Sequence, residues 1–501
     1  MAYTELDYRT RRGVGIGEGF QWTDPDARWA GSLATYYASD DEPLDSNDDP
    51  LDSGISSDRY RLRLRHHADL TERGSLMLRG HYLSDADILE DFFEDEYRDD
   101  VQPDNHLVYS YRGDAFTASA QLRSRLNDFY TDVNRLPEVS LDAMRQQLGS
   151  SALYYEGRTA AAFLQKAWEN TATNETDYSA FRFDSGHMVS YPERYFAFLN
   201  VIPRAGYRAT YYSETRGTQV TTTTNTVVDE LGRTNTTEAT LASTTSQPGE
   251  LRSRIELGAE LSYRAFATWD SASGVPLRHV IEPYLNYTFV PEPTLLPENI
   301  YQFDEVDQLT EDHSVKLGAR NKIQTKRGQE PFDYVDVDVY GRFLLERDEG
   351  EDVLASINAI GELRPTEWFK IRFDAETAPS DGLRTLNARI EALAPDLWSG
   401  GIEYRFRKDD SRLLLADLTL FPKARWTCNG YGRYEMDDSR VEEVGGYVQK
   451  NYDCMSLRIG TGYFPGYTRS DGTVSEDDWR VVAGVWFTAF TGESPFGRYT
   501  R

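Results

Sequence analysis

Alternation of apolar and charged residues with a period of two, repeated from one end of the chain to the other, is the feature that most limits its fold. In Tyr60-Arg61-Leu62-Arg63-Leu64-Arg65, Tyr60, Leu62 and Leu64 share one face of an extended chain, and Arg59, Arg61, Arg63 and Arg65 share the other. The same split sets Val335, Val337, Val339 and Phe343 against Asp336, Asp338 and Arg342. It recurs with Ile371, Phe373 and Ala375 against Lys370, Arg372, Asp374 and Glu376, and with Ile402, Tyr404 and Phe406 against Glu403, Arg405 and Arg407. Each such strand offers one face to hydrocarbon and one to water. Roughly two dozen segments of this kind are countable, about 10 to 14 residues each, the length of tilted membrane-crossing strands rather than of short globular ones. A soluble sandwich or solenoid also has polar outward faces, but strand number and length weigh against it. The expected fold is all-β: one large antiparallel transmembrane β-barrel of about 24–26 strands spanning residues 1–501.

Links between the segments alternate in length. Thr71 to Gly74, Gly113 to Asp114 and Ala394 to Asp396 are tight, whereas Asp40 to Asp58, Asp85 to Asp100 and the Thr-rich run Ser213 to Glu250 are long and polar. Short periplasmic turns and long extracellular loops are the pattern of outer-membrane barrels. Four short turns place Pro25, Pro365, Pro395 and Pro422 shortly before Trp29, Trp368, Trp398 and Trp426. Proline suits a turn and tryptophan a membrane–water boundary, so these tryptophans are expected to form an arc of the periplasmic aromatic girdle. Only Ile88 to Tyr97 has helical character, as a short amphipathic piece inside an outer loop.

Composition agrees with a sheet that is wet on one face. Asp and Glu outnumber Lys and Arg by 83 to 54 over 501 residues, a net charge of -29, which disfavours nucleic acid as a partner because phosphate contacts need clustered cations. Mean hydropathy is -0.62, and the longest apolar run, Val481 to Phe490, falls short of the roughly 18 residues of a spanning helix. Aromatic residues reach 13%, too many for a disordered acidic polymer. Two cysteines permit at most one internal bridge. No signal peptide precedes Ala2, so either the chain is cytoplasmic or its start has been removed.

Catalytic and metal patterns do not emerge. Gly13-Val14-Gly15-Ile16-Gly17-Glu18-Gly19 superficially suggests a phosphate-cradling loop, but Phe20, Gln21 and Trp22 continue an alternating strand where that motif needs a helix. Small residues on one sheet face are the expected reading. His66 and His67 point to opposite faces of a regular strand and so cannot share a metal. The acidic run Asp45 to Asp52 lacks the spacing of a calcium loop. No nucleophile elbow or zinc-ligand spacing is present, and no enzyme activity or cofactor is expected.

Several stretches resemble the barrel domain of the LPS-assembly family LptD, also called OstA or Imp. Arg278-His279-Val280-Ile281-Glu282-Pro283-Tyr284-Leu285-Asn286-Tyr287-Thr288-Phe289-Val290-Pro291, followed by Tyr301-Gln302-Phe303-Asp304, carries the strongest likeness. Arg59 to Asp69 with His81-Tyr82-Leu83-Ser84-Asp85 and Asp91-Phe92 is a second, and Asn134-Arg135-Leu136-Pro137-Glu138-Val139 a third. The ending from Cys428 through Asn451-Tyr452-Asp453-Cys454 to Phe490 is a fourth. The resemblance implies a bacterial outer-membrane barrel of about 26 strands that takes lipopolysaccharide (LPS) from a periplasmic Lpt bridge and releases it into the outer leaflet. It implies a lateral seam between first and last strands, an LptE-like lipoprotein plug in the lumen, and an N-terminal jelly-roll domain upstream of Met1 together with the missing strands. In this chain the seam is expected between Tyr3 to Tyr8 and Arg480 to Phe490, involving Tyr3, Tyr8, Val482, Trp486 and Phe490. A porin or uptake-transporter barrel is the alternative.

The family places tandem cysteines in a periplasmic turn near the end, bonded to the N-terminal domain. Here Cys454 occupies that turn between Asp453 and Met455. Regular pairing around Asp437-Asp438 sets Cys428 opposite Val448, roughly 20 Å from Cys454 and beyond the roughly 7 Å a disulfide allows. Cys454 is thus expected to bond the missing domain or to be free. Inward charges, with Arg59, Arg61, Arg63, Arg65, Asp336, Asp338, Arg342, Arg372, Arg405 and Arg407 as lumen-facing candidates, would give a lipid head a wet path. Arginine forks suit its phosphates, although mutual ion pairing is the commoner role of each such residue.

Overall fold

A computed structural model describes residues 2–43, 55–93, 96–97, 100–170, 175–228, 234–272, 274–328, 330–347, 350, 352–468, 474–475 and 477–487, with backbone alone for 218–228, 234–243, 467–468 and 474–475. Alternating strands pair with their sequence neighbours, always antiparallel, and the first strand, Ala2–Arg9, pairs both with Gly13–Thr23 and with the last, Asp478–Phe487. The sheet therefore closes. It holds 26 strand segments, but Glu193–Tyr195 and Ala265–Asp270 merely continue the strands before them, so the cylinder has 24 staves.

Register sorts the two faces as the alternation requires. Leu33, Leu64 and Gly80 lie in one row, and so do Val339, Ala359 and Ala375, all outward. The outer face exposes large apolar side chains, among them Leu6, Ile16, Phe20, Leu62, Phe163, Leu317 and Ile402. A lipid-facing belt explains why they lie open. On the third strand, Trp29–Ser39, the belt runs from Trp29 to Tyr37, about 27 Å along the strand. Tyr37 pairs with Tyr60, and the Tyr60 and Tyr82 rings lie 6.0 Å apart, forming an aromatic edge at the other end.

At the end where Ala2 and Phe487 lie, no link between described strands is longer than 148–153. At the other end lie 40–57, 84–105 and 291–311. One link departs from expectation. The Thr-rich run Ser213 to Glu250 is not a loop: Leu199–Val228 and Thr234–Tyr263 stay paired from Leu199↔Tyr263 to Val228↔Thr234, so the wall rises there as a long hairpin. Threonine is β-branched and favours extended backbone, which overrides its polarity. The helix is also shorter than expected, Ile88–Phe92, with a further helical piece at 96–97. The acidic run Asp45 to Asp52 lies outside the described residues.

Among the described residues the barrel has no apolar centre. Its two small buried clusters form where long links fold back onto the inner wall: Ile88, Leu89 and Phe92 against Tyr36, Ala38 and Leu83, and Phe303 against Ala162, Leu164 and Ala180.

Candidate functional site

The strand Asp58–Asp69 carries Arg59, Arg61, Arg63 and Arg65 inward, one every second residue from the long-loop end toward the short-turn end. Arg59 is wholly buried. It binds Asp40 at 2.9 Å, Asp91 at 2.5 Å and Asp85 through both carboxylate oxygens at 2.5 and 3.0 Å. Arg12 joins Asp40 at 3.0 Å and also meets Asp91, while Arg9 donates to the Phe92 carbonyl at 3.0 Å. Link 84–105 is thereby bolted inside the mouth. One step deeper, Arg61 and Arg63 share a single carboxylate, Glu96, with Arg63 at 2.7 Å and the Arg61 guanidinium 4.0 Å over the Phe93 ring. Burial alone would raise the Glu96 carboxyl, but Arg61 and then Arg63 outweigh it and hold it below its usual range. Deeper still, Arg65 stands opposite Arg79 with no ion-pair partner among the described residues.

A second bolt fastens link 291–311. Arg182 grips both oxygens of Asp304 at 2.7 Å and reaches Asp307 at 2.8 Å; Arg135 adds 2.9 Å to Asp304, and the Tyr212 hydroxyl donates to Asp307 at 2.8 Å. Asp307 is fully buried. Burial would raise the Asp304 carboxyl, yet Arg182, then Arg135 and the Val306 N–H, lower it to about 2. Tyr301 stacks on Tyr178 at 4.7 Å beside Phe303. Two stretches that carry the family resemblance, the one with Arg135 and the one with Asp304, thus meet across the lumen wall.

The remaining sequence candidates lie on the same inward face and are paired. Asp336 meets Lys322 at 2.6 Å, Asp338 accepts from the Tyr284 hydroxyl at 3.2 Å, and Arg342 meets Asp312 at 3.2 Å. Arg372 meets Glu391 at 2.5 Å, Arg405 meets Glu403 at 2.5 Å, and Arg407 meets Asp410 at 3.3 Å. Arg389, absent from the sequence reading, ties Glu391, Glu403 and Asp417 together at 2.9, 3.1 and 2.7 Å.

At the seam Tyr3 pairs with Trp486 and Tyr8 with Val481, through to Arg9 and Arg480. Tyr3, Val482 and Trp486 face inward and Tyr8 outward; Phe490 lies outside the described residues. Arg480 crosses the seam to Asp7 at 3.3 Å and Glu5 at 3.6 Å. Beside it, Gly13, Gly15, Gly17 and Gly19 form an inward row. A Cβ on Gly15 would lie 1.9 Å from the Tyr36 hydroxyl, and one on Gly19 1.9 Å from the Tyr3 ring. The glycines make room for those rings.

Trp29, Trp368, Trp398 and Trp426 stand exposed at the short-turn end. Cys428 pairs with Val448 and Cys454 lies exposed in the turn 452–454; both are free thiols. His66 accepts from Trp22 at 3.3 Å while His67 meets Asp69 at 3.1 Å, on opposite faces. Sequence reasoning missed Arg12, Arg182, Asp304 and Asp307 as anchors, since Arg182 lies 122 residues from Asp304 and no spacing rule joins them.

Among curated proteins nothing matches the chain. Solved structures with a similar course include the siderophore receptor PirA from Pseudomonas aeruginosa, 8% identical, covering 97% of this chain and 80% of that one with a TM-score of 0.39. The FrpB iron transporter from Neisseria meningitidis is 7% identical, covering 97% and 82%, with a TM-score of 0.37. Likenesses this distant carry no argument about function. The family model for LptD, LPS transport system D, matches residues 57–359, a stretch that includes Arg59, Arg135, Arg182 and Asp304. That match takes in more than half of a chain whose wall is a closed, apolar-faced cylinder, and the chain accordingly belongs to the LptD family as an outer-membrane barrel of LPS transport.

Proposed function

We propose that the barrel carries the polar head of LPS along its charged inner wall and releases the lipid sideways into the outer leaflet, through the seam between Ala2–Arg9 and Asp478–Phe487. Burying unpaired head-group charges in hydrocarbon is prohibitive, whereas the acyl chains are stable only there. A route that keeps both groups in their own medium follows a wall that is wet inside and apolar outside, and it opens at one strand junction. The carrying observation is the seam itself. Its outer face is apolar, with Leu6 and Tyr8 beside Val481 and Val485, and its inner face is held by Arg480, Glu5 and Asp7, groups that water can solvate when the strands part. In this reading an LptE-like lipoprotein occupies the lumen and a periplasmic Lpt bridge delivers the lipid. Two loops bolted inside the mouth argue against an open diffusion porin.

A disulfide lock tests it. Leu6→Cys with Ala483→Cys, directly paired across the seam, should stop LPS from reaching the cell surface until a reductant is added. Ile459→Cys with Ala483→Cys, the same bridge one junction away, should not. Normal LPS delivery through a fully locked seam would refute lateral release there.

A further inference from the structure

Along the inner face of Asp58–Asp69, neutralisation falls with depth. Among the described residues Arg59 has three carboxylates, Arg61 and Arg63 share one, and Arg65 has none. Arg65 sits directly opposite Arg79, and Arg63 opposite His81. Like charges directly across a sheet destabilise it. The electrostatic neighbours of Arg65 are chiefly Arg63, Arg79, Glu96 and Arg61, so repulsion prevails. Two donors are buried with nothing to bond, Arg61 Nη1 and Arg63 Nε, and Arg61 is only 4% exposed. Both ring nitrogens of the buried His81 are likewise unbonded.

Elsewhere on the wall Arg342, Arg372, Arg389 and Arg405 each have a carboxylate. Arg254 opposite Arg208 also has an unbonded Nε, but there Arg208 holds Asp184, whereas neither Arg65 nor Arg79 has an ion pair among the described residues. The chain carries 83 acidic residues and has no shortage of partners. An unneutralised set of guanidinium groups with orphaned buried donors suits an external anion. Their planar forks match the oxygens of phosphate.

We infer that Arg61, Arg63, Arg65 and Arg79 form a binding site for a sugar-linked phosphate, and that Glu96 on link 84–105 occupies its upper part when no ligand is present. The inference rests on the reading of the lumen as the path of the LPS head. It adds where a phosphate is held and what it displaces. Two strands separate this row from the seam strand, and their inward positions are Gly15, Gly17, Gly19, Ala34 and Tyr36. The Tyr3 and Tyr36 rings lie over the glycines, so a bound head lies near the seam but behind those two rings. Arrival of the ligand's phosphate frees Glu96, and with it the Phe93 ring held over Arg61.

The test uses the full-length protein with its partners in native outer membranes. A photocrosslinking residue replaces Met77, which faces inward two residues from Arg79, and a second replaces the inward Leu413 on Ser411–Leu420. LPS should crosslink at both. Arg65→Gln with Arg79→Gln should cut the yield at Met77 about tenfold, as loss of charge-assisted bonds implies, and leave that at Leu413 unchanged. LPS stripped of phosphate should show the same selective loss, and Glu96→Gln should raise the yield at Met77. Among the described residues neither arginine has an ion-pair partner, so the double variant should keep wild-type heat resistance. A Met77 yield indifferent to the double variant or to phosphate removal, with Leu413 still crosslinking, overturns the site alone. Loss of the Met77 signal to millimolar inorganic phosphate makes it a free-phosphate site and overturns it too. Absence of LPS at both positions overturns the lumen reading as well.

Discussion

Arg182 satisfies two carboxylates at once, and one of them, Asp307, has no contact with water. Removing the cation leaves that charge buried and unpaired, a loss of about 3–5 kcal/mol for such pairs. Arg182→Ala should therefore release link 291–311, seen as rapid protease cleavage within it while the barrel still migrates as a folded band. The same latch has a pH limit. Asp304 titrates lower in the folded protein, at about 2, than the roughly 3.9 of a free aspartate. Its contribution is thus present above the free value and is lost as pH falls through the folded one. Pepsin digestion should leave the link intact near pH 4 and cut it as pH approaches 2. What sequence makes legible at this scale is direction. Alternation assigns Arg61 and Asp338 to one face without coordinates, but the partners Asp304 and Glu96 come from distant links whose course no local pattern encodes.

Among the elements, Gly13–Thr23 shows how pattern and packing divide the work. Its alternation identifies a strand and its glycines suggest a bare face, yet only the neighbouring strands reveal that Tyr3 and Tyr36 fill the space. Gly15→Val should drive Tyr36 from its place beside Phe93, 4.8 Å away, and loosen link 84–105. Overpacking of this kind costs about 1–3 kcal/mol, which a lower melting temperature and faster cleavage of that link would register. The turns with Pro25, Pro365, Pro395 and Pro422 were legible because proline and tryptophan each have one physical preference there. The Thr-rich hairpin was not, because threonine serves polar loops and extended strands alike, and the choice depends on which strand lies alongside.

For the molecule as a whole, one inward and one outward face repeated about two dozen times dictate a cylinder, and closure of Ala2–Arg9 on Asp478–Phe487 completes it. The outward face carries one acidic residue near the middle of a strand among the described residues, Glu18, which accepts from the Thr4 hydroxyl at 3.1 Å. Carboxylates facing lipid destabilise barrels more the nearer they lie to the bilayer centre. Glu18→Leu should raise the temperature at which the folded band disappears in reconstituted membranes; an unchanged or lower temperature would mean that lipid does not cover this spot.

The two bolted links also make the barrel unequal to traffic from its two ends. A solute outside the cell, an antibiotic for example, meets segments pinned by Arg59 and Arg182 before it reaches the lumen. The links between described strands at the opposite end are no longer than 148–153. Under the lateral-release reading, such pinning would let cargo enter from the short-turn end while the outer mouth stays guarded.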